Sequence, residues 1–71
     1  MRTMRLSMAI ASCLSDAQEE IQFKSEYFTK KAIQRLNYAK LIIFEHTNLE
    51  EEVTTDYLDT LWMEAGKYNK G

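Results

Sequence analysis

Few side chains in this sequence have the reactivity that catalysis needs, and their spacing limits what they can do. His46 is the only histidine and Cys13 the only cysteine among 71 residues. His46 and Glu50 could share a cation across one turn, but a transition-metal site takes three or four ligands and no others stand nearby. A helix C-terminus favours a cation, so His46 is expected to cap or turn the end of a helix. Cys13 shares one side of an N-terminal helix with Leu6, Ile10 and Leu14, which makes it a small buried hydrophobe rather than a nucleophile. The chain has no Gly-rich phosphate loop, no Ser/His/Asp arrangement and no paired acids in an evident pocket. The expectation is a protein without catalytic residues, cofactor or metal.

Binding chemistry is better represented. Seven anions (Glu45, Glu50, Glu51, Glu52, Asp56, Asp59 and Glu64) occupy the segment from Glu45 to Glu64, with no Lys or Arg among them. On a helix, Glu52, Asp56 and Asp59 recur at i, i+4 and i+7, opposite an apolar arc of Tyr57, Leu58, Leu61, Trp62, Ala65 and Tyr68. Like charges at that spacing cost a few tenths of a kcal/mol each, so an outward acidic row is slightly unfavourable unless it keeps the surface solvated or meets a basic partner. Glu50, Glu51 and Glu64 lie on the flanks, where they are expected to pair with cations of the preceding helix. The row, with Trp62 as an apolar anchor, is expected to dock onto an unidentified protein partner. Met1, Met4 and Met8 form a second apolar stripe, suited to an irregular partner or to filling gaps in a dimer core.

A block of five cations (Lys24, Lys30, Lys31, Arg35 and Lys40) with a single anion, Glu26, precedes the acidic one. Lys24, Lys31 and Arg35 share one flank and are interleaved with Tyr27 and Tyr38. Cations alternating with aromatic rings can follow a phosphate backbone while the rings stack on bases, so an RNA- or DNA-binding helical dimer is the alternative expectation. Three cations neutralise few phosphates, and the whole chain carries a net charge of −2, which weighs against it.

The elements that must position these residues are helical. The chain has no proline, and its two glycines are Gly66 and Gly71, so helix ends must come from caps. Ser15 with Gln18 fits a capping box, and Thr47–Asn48 followed by Glu50 and Glu51 reads as a second start. Gly66 is a natural residue for the left-handed turn that ends a helix. These signals predict a single all-α domain over 1–71, a three-helix chain with helices over 3–14, 16–46 and 49–65. The short apolar run from Leu6 to Leu14, interrupted by Ser7 and Ser12, reads as part of the first helix rather than as a leader, although Ile10-Ala11-Ser12-Cys13 has the form of a lipoprotein cleavage box. A single unpaired thiol suits a reducing cytoplasm.

The long central helix carries Ala17, Ile21, Phe28, Ala32, Leu36, Ala39 and Ile43 in one arc. Ser25, Ala32 and Ala39 recur every seven residues, which admits a close helix neighbour. Phe23, Ile33, Leu41 and Phe44 lie on other sides, so the helix must be covered on more than one. At ~1.5 Å per residue it would span roughly 45 Å, too long for one small domain. No disulfide or zinc can stabilise a chain this short, and below ~70–80 residues a core rarely supplies more than ~3–5 kcal/mol. A homodimer that completes a helical bundle is therefore expected. The function these features suit is that of a small non-enzymatic regulator or inhibitor, of the size carried by phages and mobile elements.

Overall fold

The computed structural model describes residues 2–67, in the order β1 (Thr3–Arg5), α1 (Leu6–Gln22), α2 (Glu26–Glu45), β2 (Glu52–Thr54) and α3 (Thr55–Lys67). The chain is mostly helical, with a two-stranded antiparallel ladder in which Thr3 pairs with Thr54, Met4 with Val53 and Arg5 with Glu52.

The expected break at Ser15 does not occur: α1 runs through it to Gln22. The reason is packing. Leu6, Ala9, Cys13 and Ala17 are all buried and recur at three- and four-residue steps, so the stripe that seats α1 on α2 is continuous across Ser15. A polar residue on the exposed side does not stop a helix whose opposite side is fully packed. The chain turns instead at Phe23–Ser25, where Lys24 adopts a left-handed φ of 51°. That conformation costs a non-glycine residue about 1 kcal/mol, and Lys24 has no local feature that announces it.

Moving the break also removes the 45 Å helix. A 20-residue α2 is about 30 Å long and fits a molecule measuring 34 × 23 × 21 Å. Ala17 and Ile21, expected on the central helix, belong to α1. The alanines at 32 and 39 do admit a close neighbour, as their spacing predicts, but that neighbour is α1 of the same chain, facing them with Ala9, Cys13 and Ala17.

The third helix begins at Thr55, six residues beyond its expected start at 49. The Thr54 hydroxyl accepts the Tyr57 amide at 3.2 Å, an N-cap bond. The preceding segment is consumed in holding the N-terminus of α1. The Leu6 amide donates to the Glu51 carbonyl at 2.9 Å and the Ser7 amide to the Leu49 carbonyl at 2.8 Å. Two of the unpaired amides at the start of α1 are thus satisfied by a distant loop rather than by a side-chain cap. Gly66 does not end α3 in a left-handed turn; it lies within the helix at negative φ. A Cβ there would sit 3.0 Å from Gln34 Nε2, so glycine is what lets the Gln34 side chain lie across α3 and donate to the Trp62 carbonyl.

The largest side chains in the core are few. Leu6 and Ile42 are fully buried, joined by Ala9, Leu58 and Leu61 where α1, α2 and α3 meet.

Candidate functional site

The acidic row is divided between two elements. Asp56 and Asp59 lie on α3, but Glu52 is in β2, where its carboxylate accepts the Thr3 hydroxyl at 3.0 Å. All three are exposed, and none forms an ion pair among the described residues. At 100° per residue, Met63 falls between Asp56 and Asp59 on the outward side of α3. It is 72 % exposed. Sequence reasoning missed Met63; its signal was the spacing of seven from Asp56 and four from Asp59.

Trp62 is not available as the expected anchor. Its ring meets Tyr38 edge-on at 5.6 Å, and the Arg35 guanidinium lies 5.2 Å from its centre. Tyr68, placed with it on the apolar arc, and Met1 of the methionine stripe lie outside the described residues. Met4 is in β1 opposite Val53, so only Met8, which is exposed, remains on α1 from that stripe.

The expected pairing of the acidic flanks with α2 does not form. Glu50 meets Arg5 instead, at 3.5 Å, because the 49–51 loop folds onto the N-terminus of α1. Lys30 pairs along its own helix with Glu26 at 3.8 Å. Arg35 turns towards α1, reaching Glu20 at 2.7 Å and Asp16 at 3.5 Å. Burial alone would lower its pKa, but the hydrogen bond and charge of Glu20, with Asp16, raise it further. Arg35 therefore ties three helices together: α1 through carboxylates, α3 through the Trp62 ring.

This divides the basic flank expected for nucleic acid. Arg35 and Tyr38 are internal contacts, with Tyr38 pushed up to about 12 by burial and then by the nearby Cys13 and Asp59. Lys24, Tyr27 and Lys31 remain together at the α1–α2 turn, with Lys31 5.6 Å from the Tyr27 ring centre. There Phe23 stacks on Phe28 at 4.7 Å, and Tyr27 meets Phe28 edge-on at 5.2 Å.

His46 sits where its dipole argument placed it, as the residue capping α2, its amide donating to the Ile42 carbonyl at 3.1 Å. Its Nε2 is hydrogen-bonded to the Tyr57 hydroxyl at 2.8 Å, which ties the end of α2 to the start of α3. Burial, then Glu45, Glu51 and Glu64, raise the Tyr57 pKa and keep the phenol protonated. Glu50, the expected companion, is turned to Arg5. Among the described residues no group of three or more His, Cys, Asp or Glu side chains could hold a metal ion.

Cys13 is buried, and its thiol donates to the Arg35 carbonyl at 3.1 Å. Burial, opposed by Arg35, pushes its pKa up from 9.0 to about 11. A thiol held so far above neutrality is a poor nucleophile. The shift also has a sign for stability. Between pH 9 and 11 the unfolded chain releases the Cys13 proton while the folded chain keeps it, so stability is intact below pH 9 and falls as pH rises to 11. Urea midpoints measured from pH 8 upward are expected to fall across that interval. Cys13→Ala should reduce the slope and leave the part that Tyr38 and Tyr57 contribute above pH 10, whereas an unchanged slope would assign the alkaline loss elsewhere.

Among the described residues no helix is long and apolar enough to cross a membrane. No protein family, curated protein or solved structure matches the chain, so its surfaces carry the functional argument.

Proposed function

We propose that this chain is a small non-enzymatic helical interaction protein, a regulator or inhibitor acting as a homodimer in the cytoplasm. It docks onto a basic protein surface through the acidic outer side of α3 and β2. One observation carries the reading: Asp56 and Asp59 are exposed on either side of the exposed Met63 side chain, Glu52 is exposed on the preceding strand β2, and none of these acids has an ion-pair partner among the described residues. An apolar tip flanked by unpaired charge supplies both parts of a docking surface. The acids steer and orient a basic partner, and the methionine adapts to whatever shape it meets. Arg35 is engaged on α1, and Arg5, opposite Glu52 in the ladder, makes its ion pair with Glu50.

The test compares the immobilised wild type with the variant carrying E52K, D56K and D59K, each used to capture proteins from the native host. The expected result is a basic protein held by the wild type and lost by the variant, with helicity unchanged by circular dichroism. Undiminished capture would remove the reading. The nucleic-acid alternative retains only the aromatic turn with Lys24, Tyr27 and Lys31. It predicts retardation of single-stranded RNA or DNA at low salt that survives the triple reversal.

A further inference from the structure

The α1–α2 hairpin has two broad sides, and α3 covers one of them. On that side Trp62 meets Tyr38, Gln34 reaches the Trp62 carbonyl, and Leu58 and Leu61 pack on Leu6, Ala9 and Ile42. Arg35, Asp16 and Glu20 also lie towards it. Rotation at 100° per residue places Ile10, Leu14 and Ile21 of α1 on the reverse side, with Leu36 and Ile43 of α2. The bond between Cys13 and the Arg35 carbonyl sets the level of the two antiparallel helices, so Leu14 falls near the level of Leu36, with Ile10 half-buried against the core at the edge of the strip. Leu14 is 46 % exposed, Ile21 54 %, Leu36 40 % and Ile43 51 %.

We infer that a second copy of this chain covers this strip by a two-fold axis, forming a four-helix bundle of two stacked hairpins with α3 of each copy outermost. Two properties of the strip select its own copy as the occupant. The first is charge. By the same rotation the polar side chains along it include Ser7, Gln18 and Thr29, and its ionised margins are Lys40 and Glu26. In a two-fold contact each residue meets a partner residue that meets it in turn, so a strip with few charges buries few of them unpaired against its own copy, while a charged partner gains nothing from it. The second is area. A 17-residue helix is ~26 Å long and two helices are ~20 Å wide, so each copy contributes roughly 500 Å² and the pair about 1,000 Å², the lower bound of a specific interface. The chain also gains from closure: only Leu6 and Ile42 are large and fully buried, and dimerisation adds stability by mass action.

A consequence follows for docking, resting on the acidic-surface reading above. The hairpins meet back to back, so Asp56, Asp59 and Met63 of the two copies face outward in opposite directions. Four layers of ~10 Å separate them by roughly 40 Å. Such a dimer is bivalent, and would bridge two basic partners rather than grip one from both sides.

Sedimentation equilibrium at micromolar concentration is expected to give twice the 8.4 kDa chain mass for the wild type. Leu36→Glu should weaken association about 100-fold and give a monomer of unchanged helicity, while Met63→Glu on α3 should leave the dimer intact. The triple acid reversal should also remain dimeric, which separates this inference from the docking reading. Where Leu36→Glu loses helicity, dilution of the wild type decides. Amide shifts that change at Ile10, Leu14, Ile21, Leu36 and Ile43 support the strip, and changes centred on α3 overturn it. A folded wild-type monomer at these concentrations overturns it as well.

Discussion

Replacing Ile42 with alanine is expected to leave most of the chain unfolded at 25 °C. Ile42 is fully buried, and it belongs to the cluster in which Leu6 and Ala9 of α1 meet Leu58 and Leu61 of α3. Its removal therefore opens a cavity shared by all three helices, which none can close without moving from the other two. Ile→Ala substitutions in such sites cost about 2–5 kcal/mol. A core of this size supplies roughly 3–5 kcal/mol in total, so the loss consumes most or all of the stability. Elsewhere the α1–α2 contact is built of alanines and a cysteine, which pack closely but bury little area per residue. Urea unfolding followed by circular dichroism should show no native baseline for Ile42→Ala. Phe44→Ala, at a site 80 % exposed, should stay within about 0.5 kcal/mol of the wild type. A wild-type midpoint for Ile42→Ala would mean that the three helices do not share this core.

Removing the Arg35 guanidinium is expected to cost about 2–3 kcal/mol, the next largest effect. Glu20 is only 12 % exposed, and in Arg35→Met its carboxylate would stay in place without its 2.7 Å partner. Breaking a fully buried pair costs about 3–5 kcal/mol; the partial exposure of Arg35 at 24 % and of Asp16 at 48 % reduces that figure. The Trp62 ring also loses its cation. Glu20→Leu combined with Arg35→Met should recover part of the loss, because the stranded charge goes with the carboxylate. Urea midpoints of the two single variants and the double variant give the coupling directly. If Arg35→Met alone unfolds at the wild-type midpoint, Arg35 is a surface residue and regains its place in a phosphate-binding flank.

The two results bear on the same question, which is how so small a chain holds α3 against its hairpin. Ile42 does it by shared burial. Arg35 does it by satisfying α1 carboxylates with its donors while offering its planar face to Trp62. Both act on the side of the hairpin opposite the Leu14–Leu36 strip, which leaves that strip for another molecule and the acids of α3 for the outside.

Helical content was legible from composition, since a proline-free chain with three- and four-residue apolar steps has few other ways to bury them. The Ala32–Ala39 repeat, the burial of Cys13, the capping position of His46 and the outward placement of Asp56 and Asp59 were legible for the same local reason: each depends on residues within a few turns. The helix boundaries were not. Ser15 resembles a cap and Gly66 a terminator, but tertiary packing carried both helices past them. The true turn at Lys24 has a residue that merely tolerates the left-handed conformation. The β1–β2 ladder was invisible because three-residue strands carry almost no pattern. It also pairs Thr3 with Thr54, Met4 with Val53 and Arg5 with Glu52, far apart in sequence, through backbone groups that every residue possesses.

Charge shows the division most clearly. The sequence by itself determined that cations and anions are segregated and that Asp56 and Asp59 share a helix side. Only the tertiary structure decided which charges meet. Arg35 pairs with α1 and Arg5 with Glu50, while the acids beside Met63 pair with nothing among the described residues. An ion pair acts over a few ångströms, and the distance between two charges on different helices is set by where the chain turns and which sides pack. Local sequence signals fix neither of those.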